Sequence, residues 1–270
     1  MHRSKGVIFF YEMHARAIMS FLGGDDMQSK LLRENGLLNK IGGSDYNFRS
    51  ATAKDSIKAD VERLLAEAEM TDALTVYTGK QIHGKNVAYA DGEMGDKFVI
   101  GRHFTETDGL ITDKPGVALL IKYADCTPVV LFDPVKNVQA SVHSGWRSTV
   151  LKISHVAIDK MVKEFGCQKE NILAYLGPSI DQDNYEVGPE VYVAFEGETD
   201  RDLYFKPHGE KYLLSMTEAN VQLLLKAGIR PENIEVNTAS TYTNDDLHSA
   251  RKEGTNYQLN GIVTMLPYPS

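Results

Sequence analysis

Two spacings of apolar residues run along the chain and predict two kinds of element. Short apolar runs bounded by turn residues are typical of buried strands, and the middle of the chain holds three of them: 117–123, 128–132 and 138–142. Asp133-Pro134 and Lys136-Asn137 lie between the second and third runs and predict a turn there. This hairpin-like spacing argues against a purely parallel sheet.

Longer segments place their apolar residues at helical spacing and predict helices. These segments are 55–70, 149–165, 189–195 and 215–227. Asp55 or Ser56 is a candidate N-cap of the first helix, because a short polar side chain there can accept an unpaired backbone N–H. Gly166 and Gly228 follow the second and fourth helices and are well placed to end them.

Three more short runs, 74–78, 171–176 and 234–237, are strand candidates, whereas the stretch before about Ile41 is predicted to be irregular. Strands that alternate with helices favour a mixed α/β or α+β layered fold. No internal repeat and no Pro- or Ser-rich linker divides the 270 residues, a length that allows one large core. We therefore expect a single domain over residues 1–270.

The balance of charge narrows the classes of partner. Lys and Arg total 29 against 37 Asp and Glu, which gives a formal net charge of −8. Because there is no excess of cations to displace counterions, the chain is not expected to bind nucleic acid non-specifically. The two cysteines, Cys126 and Cys167, are too few for a disulfide scaffold and suit a reducing compartment.

The N-terminal segment carries an apolar run at 7–11, which Glu12, His14 and Arg16 interrupt well short of a signal-peptide core. No run in the sequence reaches the roughly 20 apolar residues that a membrane span needs. The sequence therefore predicts a cytoplasmic protein that does not bind a membrane. A monomer and a homodimer are both open as its oligomeric state.

Three residues able to ligate a metal lie where strand patterns end. Cys126 separates two apolar runs, His143 ends the next run, and His83 follows the run at 74–78. Polar side chains at such positions are where active sites are commonly built, and two His with one Cys match catalytic zinc sites that keep a fourth position open. The alternative for Cys126 alone is a small buried hydrophobe. The long spacings also lack CxxC or HExxH regularity.

An anion site is predicted just after His143, where a helix is expected to begin. The start of a helix offers unpaired N–H groups and a favourable field to an anion. Arg147 adds a planar guanidinium suited to phosphate or carboxylate. The alternative is that Trp146 belongs to the core, Arg147 is a surface residue, and Ser148 or Thr149 only caps the helix.

Six elements, in order along the chain, resemble the motifs of the YfiH family, which is also called the laccase-domain or polyphenol-oxidase family. They are Gln81-Ile82-His83-Gly84, Thr107-Asp108-Gly109-Leu110-Ile111-Thr112, Ala124-Asp125-Cys126-Thr127-Pro128, Val142-His143-Ser144-Gly145-Trp146-Arg147-Ser148-Thr149, Gly177-Pro178-Ser179-Ile180 with Tyr185-Glu186-Val187-Gly188, and Thr241-Tyr242-Thr243-Asn244 with Ser249 and Arg251. The resemblance thus covers most of the chain.

The resemblance implies an α+β fold, a layered α/β/β/α sandwich with mixed sheets. It implies zinc on His83, Cys126 and His143, with copper as the less favoured metal. The implied activity is phosphorolysis of adenosine, inosine or methylthioadenosine to the base and ribose 1-phosphate, with adenosine deamination in some members. One branch of the family is described as a peptidoglycan editing factor.

Roles for further residues follow from that activity. We expect Arg147 to hold phosphate, with Arg251 as the second candidate for the anion and Asn244 as a further substrate contact. Asp125 would orient a metal ligand or take part in proton transfer. The partners would be purine nucleosides and phosphate.

Three alternatives stay open. A metal-free hydrolase would use Cys126 as a thiolate nucleophile activated by His143. A copper-dependent phenol oxidase would use the same ligands, although 8 histidines without HxH spacing are few for a multicopper oxidase. A non-catalytic nucleotide-sensing or cell-wall-related module would keep the pocket without turnover. The choice of nucleoside is also open, because the chain departs from the family pattern at 181–184, Ser148 and His248.

Overall fold

The apolar runs assemble into two six-stranded sheets and a smaller three-stranded one. The computed structural model describes residues 27–53 and 56–269. In chain order the described helices are α1 (Lys30–Glu34), α2 (Ser50–Ala53), α3 (Ser56–Glu67), α4 (Trp146–Val150), α5 (Ile153–Phe165), α6 (Pro189–Ala194), α7 (Met216–Ala227) and α8 (Ala250–Glu253). The described strands are β1 (Leu38–Gly42), β2 (Thr75–Gly79), β3 (Val87–Tyr89), β4 (Asp96–Phe98), β5 (Gly101–Phe104), β6 (Gly109–Thr112), β7 (Val117–Tyr123), β8 (Thr127–Asp133), β9 (Val138–Ser144), β10 (Leu173–Leu176), β11 (Glu186–Val187), β12 (Phe205–His208), β13 (Lys211–Leu214), β14 (Ile234–Val236) and β15 (Asn260–Met265).

Both large sheets are mixed, as expected from the resemblance. The first has the order β1-β15-β7-β2-β5-β4, with β2 parallel to β5 and β7 and antiparallel pairing elsewhere. The second has the order β14-β10-β8-β9-β6-β3, antiparallel in its centre and parallel at both edges. Every residue of β8 and β9 is buried. Strands covered on both faces need apolar residues on both, which explains their continuous apolar runs.

Four layers result from the directions of the apolar side chains. Leu119 of β7 and Phe132 of β8 meet between the two sheets. On the outer face of the first sheet, α3 packs through Val61, and on the outer face of the second sheet α5 and α7 pack through Ile158 and Leu224. This α/β/β/α arrangement confirms the predicted α+β layered fold. The hairpin predicted between β8 and β9 is confirmed by their antiparallel pairing.

The predicted continuous helix over 149–165 is wrong, because α4 and α5 are separate helices. Lys152 lies between them in the left-handed backbone conformation, with φ 59°. Such a residue interrupts the helix without interrupting the apolar spacing, so the sequence pattern carried no sign of the break. Gly166 ends α5 with φ 69° and Gly228 ends α7 with φ 94°, which confirms both predicted helix ends.

The stretch before Ile41 is not irregular in its described part, which corrects a second prediction. Ser29 accepts a hydrogen bond from the backbone N–H of Leu32 and caps α1. β1 pairs along its full length with β15, near the other end of the chain. Such a long-range partner cannot be seen in the local pattern of β1, where buried and partly exposed residues alternate only weakly.

Two sequence expectations fall on residues outside the described ranges: the apolar run at 7–11 and the candidate cap Asp55. Among residues 27–53 and 56–269, no helix combines the length and the apolar character that crossing a membrane requires.

Candidate metal centre

The pairing of β8 with β9 brings Cys126 beside His143. In this antiparallel register Pro128 lies opposite His143, and Thr127 lies opposite Ser144. Cys126 directly precedes β8, so its side chain arrives at the end of β9. The hairpin therefore joins two residues that the sequence only placed at the ends of neighbouring apolar runs.

His83 reaches the same place from the first sheet. It lies in the loop after β2 and has a left-handed backbone, with φ 61°. The Asp108 carboxylate accepts hydrogen bonds from the backbone N–H groups of Ile82, His83 and Gly84, each at 2.9 Å. Three amide donors on one carboxylate hold the loop in a conformation that residues other than glycine seldom adopt.

Asp108 also orients His143. Its Oδ1 lies 3.0 Å from Nδ1 of His143, and its backbone carbonyl accepts the N–H of His143 at 2.7 Å. The contact at Nδ1 leaves Nε2 of His143 for a metal, as in the carboxylate–histidine pairs that support metal-binding histidines. Burial alone would raise the pKa of the Asp108 carboxyl. Hydrogen bonds from His143 and from the loop amides outweigh burial and hold that pKa below its usual range.

Asp108 is the residue of this centre that the sequence reading missed. It belongs to the Thr107-to-Thr112 element, and the sequence pattern indicated no role for it. The available signal was an acidic residue directly before β6, whose four residues are all buried. A fully buried carboxylate (0% exposed) needs compensating donors, and here both histidine-bearing segments supply them.

The three predicted ligands meet in one cluster. One ligand atom from each of His83, Cys126 and His143 lies within 4.8 Å of the other two. The two imidazole ring centroids are 4.9 Å apart. His143 is buried, Cys126 is half-buried and His83 is exposed. Within the described part of the chain, this is the one group of three or more His, Cys, Asp or Glu side chains arranged to hold a metal ion.

The electrostatics favour a thiolate at Cys126. Burial on its own would raise the pKa of this thiol, but the charge of His143 and hydrogen bonds from both histidines outweigh burial and lower the pKa to about 6. Burial acts to lower the pKa of His143, and the interactions with Cys126 and Asp108 raise it above its usual value. The thiolate is the form of cysteine that binds metals, and a cation bound there would displace the imidazolium proton.

This cluster could hold a metal. Two imidazole nitrogens and a thiolate, with one side left open, form the donor set of catalytic zinc sites. The same ligand types also occur in blue-copper sites, which usually add a weak axial ligand. The geometry therefore supports a metal centre, and the donor set suits both zinc and copper.

Gly145 makes room for the cluster. A Cβ atom at this position would lie 2.6 Å from Nδ1 of His83 and 2.9 Å from Sγ of Cys126. Both distances are shorter than van der Waals contact, so a side chain here would push the two ligands apart. The backbone of Gly145 (φ −75°, ψ 171°) is one that any residue adopts. The requirement for glycine therefore comes from space and not from conformation.

We predict that Gly145→Ala lowers metal affinity by about 10- to 100-fold, comparable to the loss of a supporting residue around a metal. The fold should be retained because the backbone conformation suits alanine. Metal affinity would be measured by competition with a chromophoric chelator. Gly197→Ala is the matched control, since Gly197 has open space around its would-be Cβ and an ordinary backbone. Equal affinities in the two variants would contradict the steric argument.

Asp125 ties the loop before β8 to two other segments. It has a left-handed backbone, with φ 78°. Its Oδ1 accepts the Thr241 hydroxyl and its Oδ2 accepts the backbone N–H of Arg251, each at 2.7 Å. Its own carbonyl accepts the backbone N–H of Ile180 at 3.0 Å. Asp125 thus anchors the segment that carries Cys126. Its expected part in ligand orientation or proton transfer stays a prediction.

A cavity of about 860 Å³ lies beside the cluster, and all three candidate ligands line it. Its wall also contains one carboxylate, that of Asp125, and four cationic side chains: Arg49, Lys80, Lys122 and Arg251. Tyr185 and Tyr257 add aromatic surface. In a chain of net charge −8, such a local concentration of positive charge favours an anionic ligand.

The residues predicted to bind substrate are only partly gathered at this cavity. Arg251 lines it, whereas Arg147 and Asn244 are not among its lining residues. The guanidinium of Arg147 is exposed and lies 4.2 Å from the ring centre of Trp146. Asn244 closes a turn by accepting the backbone N–H of Asp246. The roles of these residues in substrate binding stay predictions.

Known proteins resemble this chain over most of its length. Residues 32–265 match the family model described as multi-copper polyphenol oxidoreductase laccase. A purine nucleoside phosphorylase of Bacteroides thetaiotaomicron is 38% identical over 151 residues, which cover 54% of this chain and 56% of that protein. The purine nucleoside phosphorylase YfiH of Escherichia coli K12 is 30% identical over 189 residues, 69% of this chain and 72% of that one. Adenosine deaminase RL5, from an unknown prokaryotic organism, is 35% identical over 153 residues, which cover 55% and 58% of the two chains.

A solved structure shares the fold. The crystal structure of Bacillus licheniformis protein YfiH aligns with a TM-score of 0.81 and 22% identity, covering 91% of this chain and 98% of that one. The chain spans about half the length of several curated relatives that it matches. The family model nevertheless covers all six motifs, and the resemblance read from them is confirmed. The chain therefore belongs to the YfiH-like family, described as multi-copper polyphenol oxidoreductase laccases.

Proposed function

We propose that the protein is a zinc-dependent purine nucleoside phosphorylase, converting a purine nucleoside and phosphate to the base and ribose 1-phosphate. The observation that carries the proposal is the cluster of His83, Cys126 and His143 at the wall of a cavity that cations line. The names of the relatives from B. thetaiotaomicron and E. coli support it. Adenosine, inosine and methylthioadenosine are the expected nucleosides.

The roles of the chain's own residues follow from their positions. His83, Cys126 and His143 would hold the zinc ion, and Asp108 would keep the imidazole of His143 and the backbone of His83 in place. When bound, zinc supplies a Lewis acid and lowers the pKa of a water that it carries. Arg251 lies in the same cavity wall, where its charge would attract an anionic reactant.

Phosphorolysis requires cations that offset the charge of phosphate near the sugar and a hydrogen-bond donor to the leaving purine. An oxygen of phosphate forms a bond to C1′ of the ribose while the C1′–N9 bond breaks. The electron pair of that bond leaves with the purine, which takes up the proton that hydrogen phosphate loses as it becomes ribose 1-phosphate. Cations near the sugar offset the charge of phosphate. Tyr185 lines the cavity, and burial, followed by the nearby charge of Cys126, raises the pKa of its hydroxyl well above the usual value. This hydroxyl therefore stays protonated and available as a hydrogen-bond donor to the base.

Incubation of the zinc-loaded protein with inosine and phosphate tests the proposal. We expect hypoxanthine and ribose 1-phosphate in equal amounts, with no hypoxanthine when phosphate is omitted. Removal of zinc with a chelator should abolish product formation, and added zinc should restore it. If no purine nucleoside in a panel gives product, the proposal is wrong and a non-catalytic binding module is favoured.

A metal-free Cys/His hydrolase is the second candidate, and the thiolate–imidazolium character of Cys126 and His143 favours it. It predicts that activity survives the chelator but not alkylation of Cys126.

Deamination of adenosine is a further activity to measure in the same panel, since RL5 is named an adenosine deaminase. Copper-dependent phenol oxidation would require oxygen consumption with a phenol after copper loading. A cytoplasmic location and a monomeric or homodimeric state stay predictions.

A further inference from the structure

Lys122 is a lysine on a strand whose other residues are all buried. Its backbone pairs with Gly261 of β15. Its ammonium donates a hydrogen bond to the carbonyl oxygen of Gly79 at 3.2 Å. Within residues 27–53 and 56–269, no carboxylate forms an ion pair with it. A lysine ammonium has three N–H donors, so two of them lack a described partner.

The position is held in place by a second contact. The side-chain amide of Gln81 donates to the carbonyl oxygen of Lys122 at 2.6 Å and accepts the backbone N–H of Lys122 at 3.0 Å. Gln81 thus continues the pairing of β2 with β7 beyond the end of β2. This double contact fixes Lys122 against the Gly79-Lys80 segment, and all of these residues except Gly79 line the cavity.

Burying an unpaired charge costs stability, and a buried lysine commonly responds with a lowered pKa. Burial lowers the pKa of Lys122 to about 8. A methionine of similar length would fill the same space without this cost. A lysine here therefore calls for an anionic partner that the chain itself does not provide.

We propose that Lys122, with Lys80 beside it, holds the orthophosphate that attacks the nucleoside. Orthophosphate carries close to two negative charges near neutral pH, and lysine is a common point-charge ligand for it. Lys80 is exposed and follows Gly79, the residue that holds the Lys122 ammonium. Arg49 adds charge from the opposite segment, but carbonyl oxygens of Thr255 and Tyr257 occupy its guanidinium. This assignment rests on the proposed function. It gives to Lys122 and Lys80 the phosphate-binding role that the sequence predicted for Arg147.

Steady-state kinetics of Lys122→Met tests the assignment. We expect the KM for phosphate to rise by about 10- to 100-fold, the effect of losing a charge-assisted hydrogen bond. The KM for inosine and the zinc content should stay within about threefold of wild type. Lys122→Arg keeps the charge and should recover most of the phosphate affinity. Lys163→Met is the matched control, since Lys163 is exposed on α5 and pairs with Asp159.

Direct binding of inorganic phosphate, measured by calorimetry on the zinc-loaded protein, separates the two proposals. If no nucleoside is converted but Lys122→Met still weakens phosphate binding, the phosphate site stands and the proposed function fails. If nucleosides are converted and Lys122→Met leaves the KM for phosphate unchanged, the phosphate site is wrong and the proposed function stands. If Lys122→Met weakens the binding of inosine 5′-monophosphate but not of inorganic phosphate, the assignment is also wrong. The same holds if Arg147→Met alone, with Lys122 intact, weakens phosphate binding equally. The unfolding midpoint of Lys122→Met should be at or above that of wild type, which checks that the variant folds.

Discussion

Replacing Cys126 with alanine is expected to reduce bound zinc to background and phosphorolysis by more than about 100-fold, a larger loss than removal of a supporting residue causes. Cys126 supplies the thiolate among the three candidate ligands, and both histidines and the sulfur must stay within the 4.8 Å cluster to share one ion. Two imidazoles without the thiolate would bind zinc weakly. Metal content by mass spectrometry and hypoxanthine release would be measured on the same preparation.

Cys167→Ala is the control for this change. Cys167 is fully buried, whereas Cys126 is half-buried. Burial, followed by the charge of Asp133, raises the pKa of the Cys167 thiol to about 12, so it stays protonated. We expect full zinc content and full activity, with a loss in the free energy of unfolding of about 1 kcal/mol from the small cavity. A Cys126→Ala protein with normal zinc and normal phosphorolysis would rule out the cluster as the metal centre.

Replacing Asp108 with asparagine is expected to cost about 3–5 kcal/mol in the free energy of unfolding. The same change should lower zinc affinity by about 10- to 100-fold. The carboxylate accepts hydrogen bonds from three loop amides and from His143. An asparagine has one acceptor oxygen, and its NH₂ group would face donors, so some of these N–H groups would lose their partner. Urea unfolding and chelator competition would measure the two effects separately.

The stability lost in Asp108→Asn depends on pH in a direction that the pKa of Asp108 determines. The pKa of Asp108 is lowered in the folded protein, so its contribution to stability is fully present above the unfolded pKa of about 3.9 and is lost as pH falls through the folded value. Asp113→Asn is the matched control, because Asp113 accepts from Tyr89 and is half-exposed. It should change stability by less than about 1 kcal/mol. Equal costs for the two variants would contradict the role given to Asp108.

The fold was predictable where a strand is buried on both faces. β7, β8 and β9 carry continuous apolar runs, and the turn residues between β8 and β9 identify their hairpin. β3, β4, β5 and β6 have three or four residues each and carry little periodicity. β1 becomes a strand only through its pairing with β15. Local pattern therefore predicted two central strands of the first sheet, β2 and β7, and four strands of the second, β8, β9, β10 and β14. It missed the other strands of both sheets.

The residues of the candidate site also fall into those that the sequence pattern indicated and those that only the packing shows. His83, Cys126 and His143 could be named because each is a metal-binding residue type at the end of an apolar run. Asp108 resembled an ordinary turn residue until the pairing of β6 with β9 placed it under His143. The sequence indicated no role for Lys122 within the run 117–123, because only the packing shows that this residue lines a cavity.

The metal cluster takes its ligands from both sheets, since His83 follows β2 of the first sheet, whereas Cys126 precedes β8 and His143 lies in β9 of the second. An ion bound there would connect the two halves of the sandwich at one end. A ligand that binds only the folded state stabilises it by about 2.7 kcal/mol at 100 times its Kd. The supply of the metal would thus change the free energy of unfolding, and amide hydrogens in the loop around His83 would exchange more slowly in the metal-bound form.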